Sequence, residues 1–217
     1  MSKKHPLLVV DIQPMYDKFL SDDGFDKTAF AEYLNCYDEK VYYMFNGEDV
    51  GCDTIEDVCC FLYEIGVDEH TINHITFIEK DYGWIREEMD EDYGWVREEF
   101  GTDEVEYRNW SIEDTLSSGD ADYAIEYFDC LPNKMIVCGG GASECLEEVC
   151  HTLKYLGKKF EINPDFIYGG EMKADFSSCL ILDENDIVRD ALAQNAEKRK
   201  EAEKSLNKSN SSPKVSL

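Results

Sequence analysis

The sequence predicts an α/β domain, a three-layer doubly wound fold with a mainly parallel central sheet. Three observations predict it. Short apolar runs recur at residues 7–10, 41–45, 74–78 and 135–138, each the length of a strand buried on both faces. Amphipathic stretches of helical period lie between several of them. A glycine turn, Gly139-Gly140-Gly141, joins the last run to a helical stretch carrying a cysteine near its start.

Leu7-Leu8-Val9-Val10 reads as the first strand and ends at Asp11-Ile12-Gln13-Pro14. A carboxylate at the carboxyl end of a first parallel strand lies where such sheets bind ligands, although Asp in that place also serves as a turn or helix cap. Residues 25–37 read as a helix burying Phe30, Tyr33 and Leu34. The strand at 41–45 turns at Asn46-Gly47-Glu48-Asp49. Thr54-Ile55-Glu56-Asp57 resembles a capping box, opening a helix through Val58, Phe61, Leu62 and Ile65 that Gly66 stops. The strand at 74–78 delivers Glu79-Lys80 to its carboxyl end, the same edge as Asp11 if the strands are parallel.

Asp81-Tyr82-Gly83-Trp84-Ile85-Arg86-Glu87-Glu88 recurs, with one change, 11 residues on from Asp92. That offset is close to three helical turns, and two copies are too few for a solenoid. The reading is a short tandem duplication inside an insertion over about 81–120. An amphipathic helix over 121–131 leads to the strand at 135–138. Ser143 then caps a helix with Leu146, Val149, Leu153 and Leu156 on its apolar side, and Gly157 ends it. Residues 159–162 form a further strand, and 166–170, after Pro164, an edge or rim segment. Residues 179–182 are the last strand candidate. The α/β domain is placed at 1–185, a C-terminal helix at 186–204 and a disordered tail at 205–217.

Cys145 falls in the first turn of its helix, where free N–H groups and the positive end of the dipole favour a thiolate. A cysteine in that place is otherwise a small buried hydrophobe. Three strand ends then bring Asp11, Lys80 and Cys145 to one edge. In that set Asp11 takes the thiol proton and Lys80 holds the charges. Backbone N–H groups of Gly141, Ala142 and Cys145 hold an oxyanion.

On these residues the chain resembles the isochorismatase-like cysteine hydrolase superfamily, which includes nicotinamidases and related amidases. The likeness rests on Leu8-Val9-Val10-Asp11-Ile12-Gln13, on Val137-Cys138-Gly139 through Cys145, and on Leu156-Gly157-Lys158-Lys159-Phe160. It implies a Cys145–Asp11–Lys80 triad, and a non-proline cis peptide around 140–142 shaping the oxyanion hole. The chain departs from the family pattern in places. Sixty-five residues separate Lys80 from Cys145, more than the family spacing implies, and Arg108 stands at a more usual distance. Glu144 beside the nucleophile would raise its pKa if its side chain faces the sulfur. The histidine-containing metal motif of the metal-dependent nicotinamidases is missing from 46–53, so no metal and no other cofactor is expected. By position, Gln13, Tyr16, Phe45, Trp84 and Tyr168 are the expected pocket walls.

The chain carries a formal net charge of −27. Such acidity repels nucleic-acid backbones and anionic membranes, so the expected partner is a small-molecule substrate, within a possible homo-oligomer. Nine cysteines, with no leader-like stretch before the first strand, lead to the expectation of reduced thiols and a cytoplasmic location. The leading reading is a metal-independent cysteine hydrolase of a small amide or related C–N bond. The alternative is a catalytically inactive binding protein on the same fold with an acidic interaction surface.

Overall fold

The computed structural model describes residues 5–47, 52–80 and 125–181. The chain divides into two units, 1–180 and 181–217, and the helices and strands among the described residues all belong to the first. Trp84, Arg108, the tandem duplication, the proposed C-terminal helix and the tail lie outside the described residues.

The described sheet has five strands, all parallel: β1 (Leu7–Val10), β2 (Val41–Asn46), β3 (Thr76–Lys80), β4 (Lys134–Gly139) and β5 (Lys159–Ile167). Their order is β3-β2-β1-β4-β5. The chain therefore builds outward from β1 in one direction and then in the other. The strand order reverses between β1 and β4, and a parallel sheet opens a crevice at that point, beyond its carboxyl ends.

Side chains alternate across the sheet with period two. Leu7 and Val9 of β1 and Tyr43 and Phe45 of β2 face one core. Leu8 and Val10, with Tyr42 and Met44, face the other. Helices cover the first face: α1 (Asp17–Asp22), α2 (Lys27–Asn35) and α3 (Ile55–Glu64) bring Leu20, Phe30, Leu34, Val58 and Leu62 into that core. A short helix, α4 (Glu69–Ile72), leads into β3. Helix α5 (Cys145–Tyr155) packs Leu146, Val149 and Leu153 on the second face. Each such buried aliphatic side chain contributes about 1.5–3 kcal/mol by removal from water. The result is the three-layer arrangement expected.

Thr54 and Asp57 form the expected capping box at α3, and Asp26 caps α2 through the Ala29 N–H. Other local expectations need correcting. The residue before α5 is Glu144, not Ser143, and its side chain makes no capping bond. The segments at 159–162 and 166–170 are largely one continuous strand, β5. It shifts register against β4 between Val137 and Gly139, and it tolerates Pro164 because it lies at the described edge. Cys179 ends a 3-10 turn (Ser177–Cys179), and Leu180 and Ile181 are not in a strand. Among the described residues no helix is long and apolar enough to cross a membrane.

Candidate active site

The carboxyl ends of β1 and β4 flank the reversal point, and the Lys80 side chain reaches Asp11 from the end of β3, on the far side of β2. Asp11 follows β1 directly with φ +52°, and is the one described non-glycine residue in the left-handed region. L-residues rarely adopt that conformation, which costs on the order of 1–2 kcal/mol. Its N–H donates to the Met44 carbonyl at 2.9 Å, and its carbonyl accepts the Tyr168 hydroxyl. The backbone is thus held on both sides while the side chain turns into the crevice.

Lys80, the last residue of β3, is fully buried, and Asp11 is 1% exposed. Lys80 Nζ lies 3.1 Å from Asp11 Oδ2. Lys80 acts on the Asp11 carboxylate first through its charge and then through a hydrogen bond, and the Cys145 thiol is a further hydrogen-bond partner of that carboxylate. The pairing is therefore chiefly coulombic. Burial raises the Asp11 pKa, and the charge of Lys80 opposes that rise. Burial alone would lower Lys80, but Asp11, then Cys145 and Glu148, hold it above the ordinary lysine value.

A second contact fixes the lysine. Lys80 Nζ donates to Asn46 Oδ1. Asn46 is the partner of Lys80 in the β2–β3 register, and both side chains lie on the α5 face of the sheet. Asn46 Nδ2 donates to the Tyr16 hydroxyl. The Asn46 backbone is itself clamped by Gln13. Gln13 Nε2 donates to the Asn46 carbonyl at 3.0 Å, and Gln13 Oε1 accepts the Asn46 N–H at 2.9 Å. Asp53 closes the chain by accepting from Gln13 Nε2 and the Met15 N–H, each at 2.9 Å. Gln13 is fully buried, so its place is beneath the site and not on its wall.

Two glycines shape the turn after β4. A Cβ on Gly139 (φ +126°) would lie 1.9 Å from the Val10 carbonyl oxygen. One on Gly140 would lie 1.6 Å from the Tyr168 ring. Only glycine admits that closeness. Cys145 opens α5, as expected. Its thiol is pushed far up first by burial, then by the Asp11 charge, with Lys80 opposing and Glu148 adding to the rise. Glu144 is exposed, and the carboxylates raising the thiol are those of Asp11 and Glu148, not the one expected. Glu148 is buried three residues along α5 from Cys145, on the same helix side.

Asp11, Tyr16, Phe19, Gly140, Gly141, Glu144, Cys145, Tyr168 and Gly169 line a cleft of about 240 Å³. It contains two of the three expected catalytic residues, with Lys80 behind Asp11. It contains Tyr16 and Tyr168 of the expected walls. Phe45 is fully buried in the core under α1–α3, because β-alternation turns it away from the α5 face that carries Asn46 and Lys80.

The oxyanion hole needs a correction. The Ala142 N–H donates to the Tyr168 carbonyl at 3.0 Å and is not free to hold an oxyanion. The Gly141 and Cys145 N–H groups have no backbone acceptor among the described residues. The described peptide bonds are all trans, so the cis bond implied by the resemblance is not present there. Asn46 and Glu148 were not anticipated. The signal for Asn46 is its even position on β2. That for Glu148 is its three-residue spacing from Cys145.

No family model matches this chain, and no curated protein matches its sequence. Among solved structures it is similar to MAR1 ribonuclease from Caenorhabditis elegans, at 11% identity and a TM-score of 0.38, covering 76% of this chain and 65% of that one. The chain thus spans somewhat less than two thirds of that ribonuclease. It is similar to a nicotinamidase from Staphylococcus aureus, at 18% identity and a TM-score of 0.36, over 81% of this chain and 88% of that one. It is also similar to an isochorismatase from Pseudomonas putida, at 12% identity and a TM-score of 0.39, over 88% and 84%. At these scores none of the three says what this chain does. The fold stands on the strand order and parallel register of the chain itself.

Proposed function

We propose that this protein is a cysteine hydrolase of the isochorismatase-like type, cleaving a small amide or related C–N bond. The observation that carries the reading is the meeting of Asp11, Lys80 and Cys145 from three separate segments. Asp11 and Cys145 share one cleft, and the lysine ammonium is 3.1 Å from the carboxylate.

The chemistry follows from the environment of each group. A buried carboxylate with a raised pKa is a better base than an exposed one. Asp11 takes the proton from the Cys145 thiol as sulfur attacks the amide carbon. The carbonyl electron pair moves to oxygen, and the N–H groups of Gly141 and Cys145 stabilise that charge. Collapse breaks the C–N bond, and the proton on Asp11 goes to the leaving nitrogen. Water then attacks the thioester, giving one proton to Asp11. The acid leaves, and that proton returns to sulfur. Lys80 keeps its charge throughout and offsets the negative charge that passes between sulfur and carboxylate.

The test is ammonia release from a panel of small primary amides, with mass spectrometry of acid-quenched protein. Expected are turnover and an acyl adduct on the Cys145 peptide, both abolished by Cys145→Ala. Ammonia release that survives Cys145→Ala, or no turnover and no adduct across the panel, contradicts the proposal.

A further inference from the structure

We infer that the cleft selects a small, flat organic cation; on the hydrolase reading, which this inference extends, the substrate is an amide carrying a positively charged group. Tyr16, Phe19 and Tyr168 supply aromatic rings, and Asp11 and Glu144 supply carboxylates. No basic side chain is among the lining residues. The nearby cation, Lys80, is fully buried and already faces Asp11 at 3.1 Å.

The rings are held in place for such a role. The Tyr168 hydroxyl donates to the Asp11 carbonyl, and the Tyr16 hydroxyl accepts from Asn46 Nδ2. Tyr168 lies against Gly140 closely enough to exclude a Cβ there. Phe19 is 61% exposed. Its ring centroid lies 6.4 Å from that of Tyr16, at a tilt of 59°. The faces of such rings attract an organic cation through their quadrupoles. At the mouth, Glu144 is exposed and uncommitted as a helix cap. In the floor, the almost wholly buried Asp11 carboxylate lines the cleft, with Lys80 behind it at 3.1 Å from Oδ2. A cationic N–H group entering the cleft would meet acceptors at both ends and rings between.

Two wider features agree. The net charge of −27 draws cations toward the molecule and repels anions. The resting Cys145 thiol is held protonated by burial and by the carboxylates around it. A bound positive charge would offset those carboxylates and favour the thiolate, so a cationic substrate would assist its own attack.

The test compares two flat isosteres, benzamidine (cationic at neutral pH) and benzamide (neutral), binding to full-length Cys145→Ala protein by calorimetry. Because the nucleophile is absent, the result is independent of whether the protein hydrolyses anything. Expected is binding of benzamidine about tenfold or more tighter than benzamide. Glu144→Gln and Phe19→Ala should each reduce that ratio several-fold. Equal affinities, tighter benzamide, or no binding of either overturns the inference. So does a preference unchanged by both substitutions, which would assign it to the general charge of the protein. Cation binding without any amidase activity would retain this inference and remove only the hydrolase reading.

Discussion

Replacing Lys80 by Met tests the buried pair at the heart of the site. Met fills much of the same volume but removes the ammonium 3.1 Å from Asp11 and the donor to Asn46 Oδ1. Asp11 would then be a buried carboxylate with no neighbouring charge to oppose its desolvation. Removing one partner of a buried pair costs about 3–5 kcal/mol. The loss should depend on pH, with a sign that follows from the raised pKa of Asp11. An acid whose folded pKa lies above its unfolded value binds its proton more tightly in the folded state. Its contribution is fully present below the unfolded pKa and is lost as pH rises through the folded one. Lys80→Met raises the folded pKa of Asp11 further, so the destabilisation should be smaller at mildly acidic pH than at neutral pH. Urea unfolding followed by circular dichroism at two pH values measures this. Asp11→Asn added to Lys80→Met should recover part of the loss, because no unpaired charge remains. A loss below about 1 kcal/mol at neutral pH, the range of an exposed pair, would refute the reasoning. A loss independent of pH would refute it equally.

Other consequences follow from named contacts. Asn46→Ala removes the acceptor of Lys80 and the donor to Tyr16. It should cost about 1–3 kcal/mol in urea unfolding and slow Cys145 alkylation, through loss of the lysine's position. Gly140→Ala drives a Cβ into the Tyr168 ring. It should cost about 1–3 kcal/mol and weaken benzamidine binding by displacing a wall. Thr54→Ala removes the capping box of α3, whose residues do not line the cleft. It should cost about 1 kcal/mol of stability and leave Cys145 alkylation unchanged.

Much of the fold was legible because a parallel sheet buried on both faces writes its strands as continuous apolar runs. Leu7-Leu8-Val9-Val10 and Met135-Ile136-Val137-Cys138 are such runs, and both are strands. The same signal fails at Cys179-Leu180-Ile181-Leu182. An apolar run of that length does not by itself separate a strand from other buried chain, and this one begins in a 3-10 turn. Pro164 suggested a break in β5 because proline cannot donate to a ladder, yet a strand at an edge has a side where no donor is needed.

At the site, Asp11, Lys80 and Cys145 were readable as chemistry at strand and helix ends. Their support was less so. Asn46 looked like a turn residue, and its role appears only when the β2–β3 register sets it beside Lys80. Gln13 looked like a ligand contact because it follows Asp11 closely, but its amide matches the backbone of Asn46 in both directions. Ala142 looked free to hold an oxyanion until β5 brought the Tyr168 carbonyl to it. Each of these is a long-range pairing, and spacing along one chain does not encode it.

The measurement that reaches the central claim most directly is the rate of iodoacetamide alkylation, residue by residue, in the wild-type protein and in Asp11→Asn. Cys36, Cys60 and Cys130 are exposed and serve as internal references. Asp11→Asn removes both the charge that raises the Cys145 thiol pKa, which by itself would speed alkylation, and the base that takes its proton. If the base role dominates, alkylation of Cys145 should fall about tenfold or more, while the three references stay constant in protein that remains folded by circular dichroism. An unchanged or faster Cys145 rate in folded Asp11→Asn would mean that Asp11 is not the base.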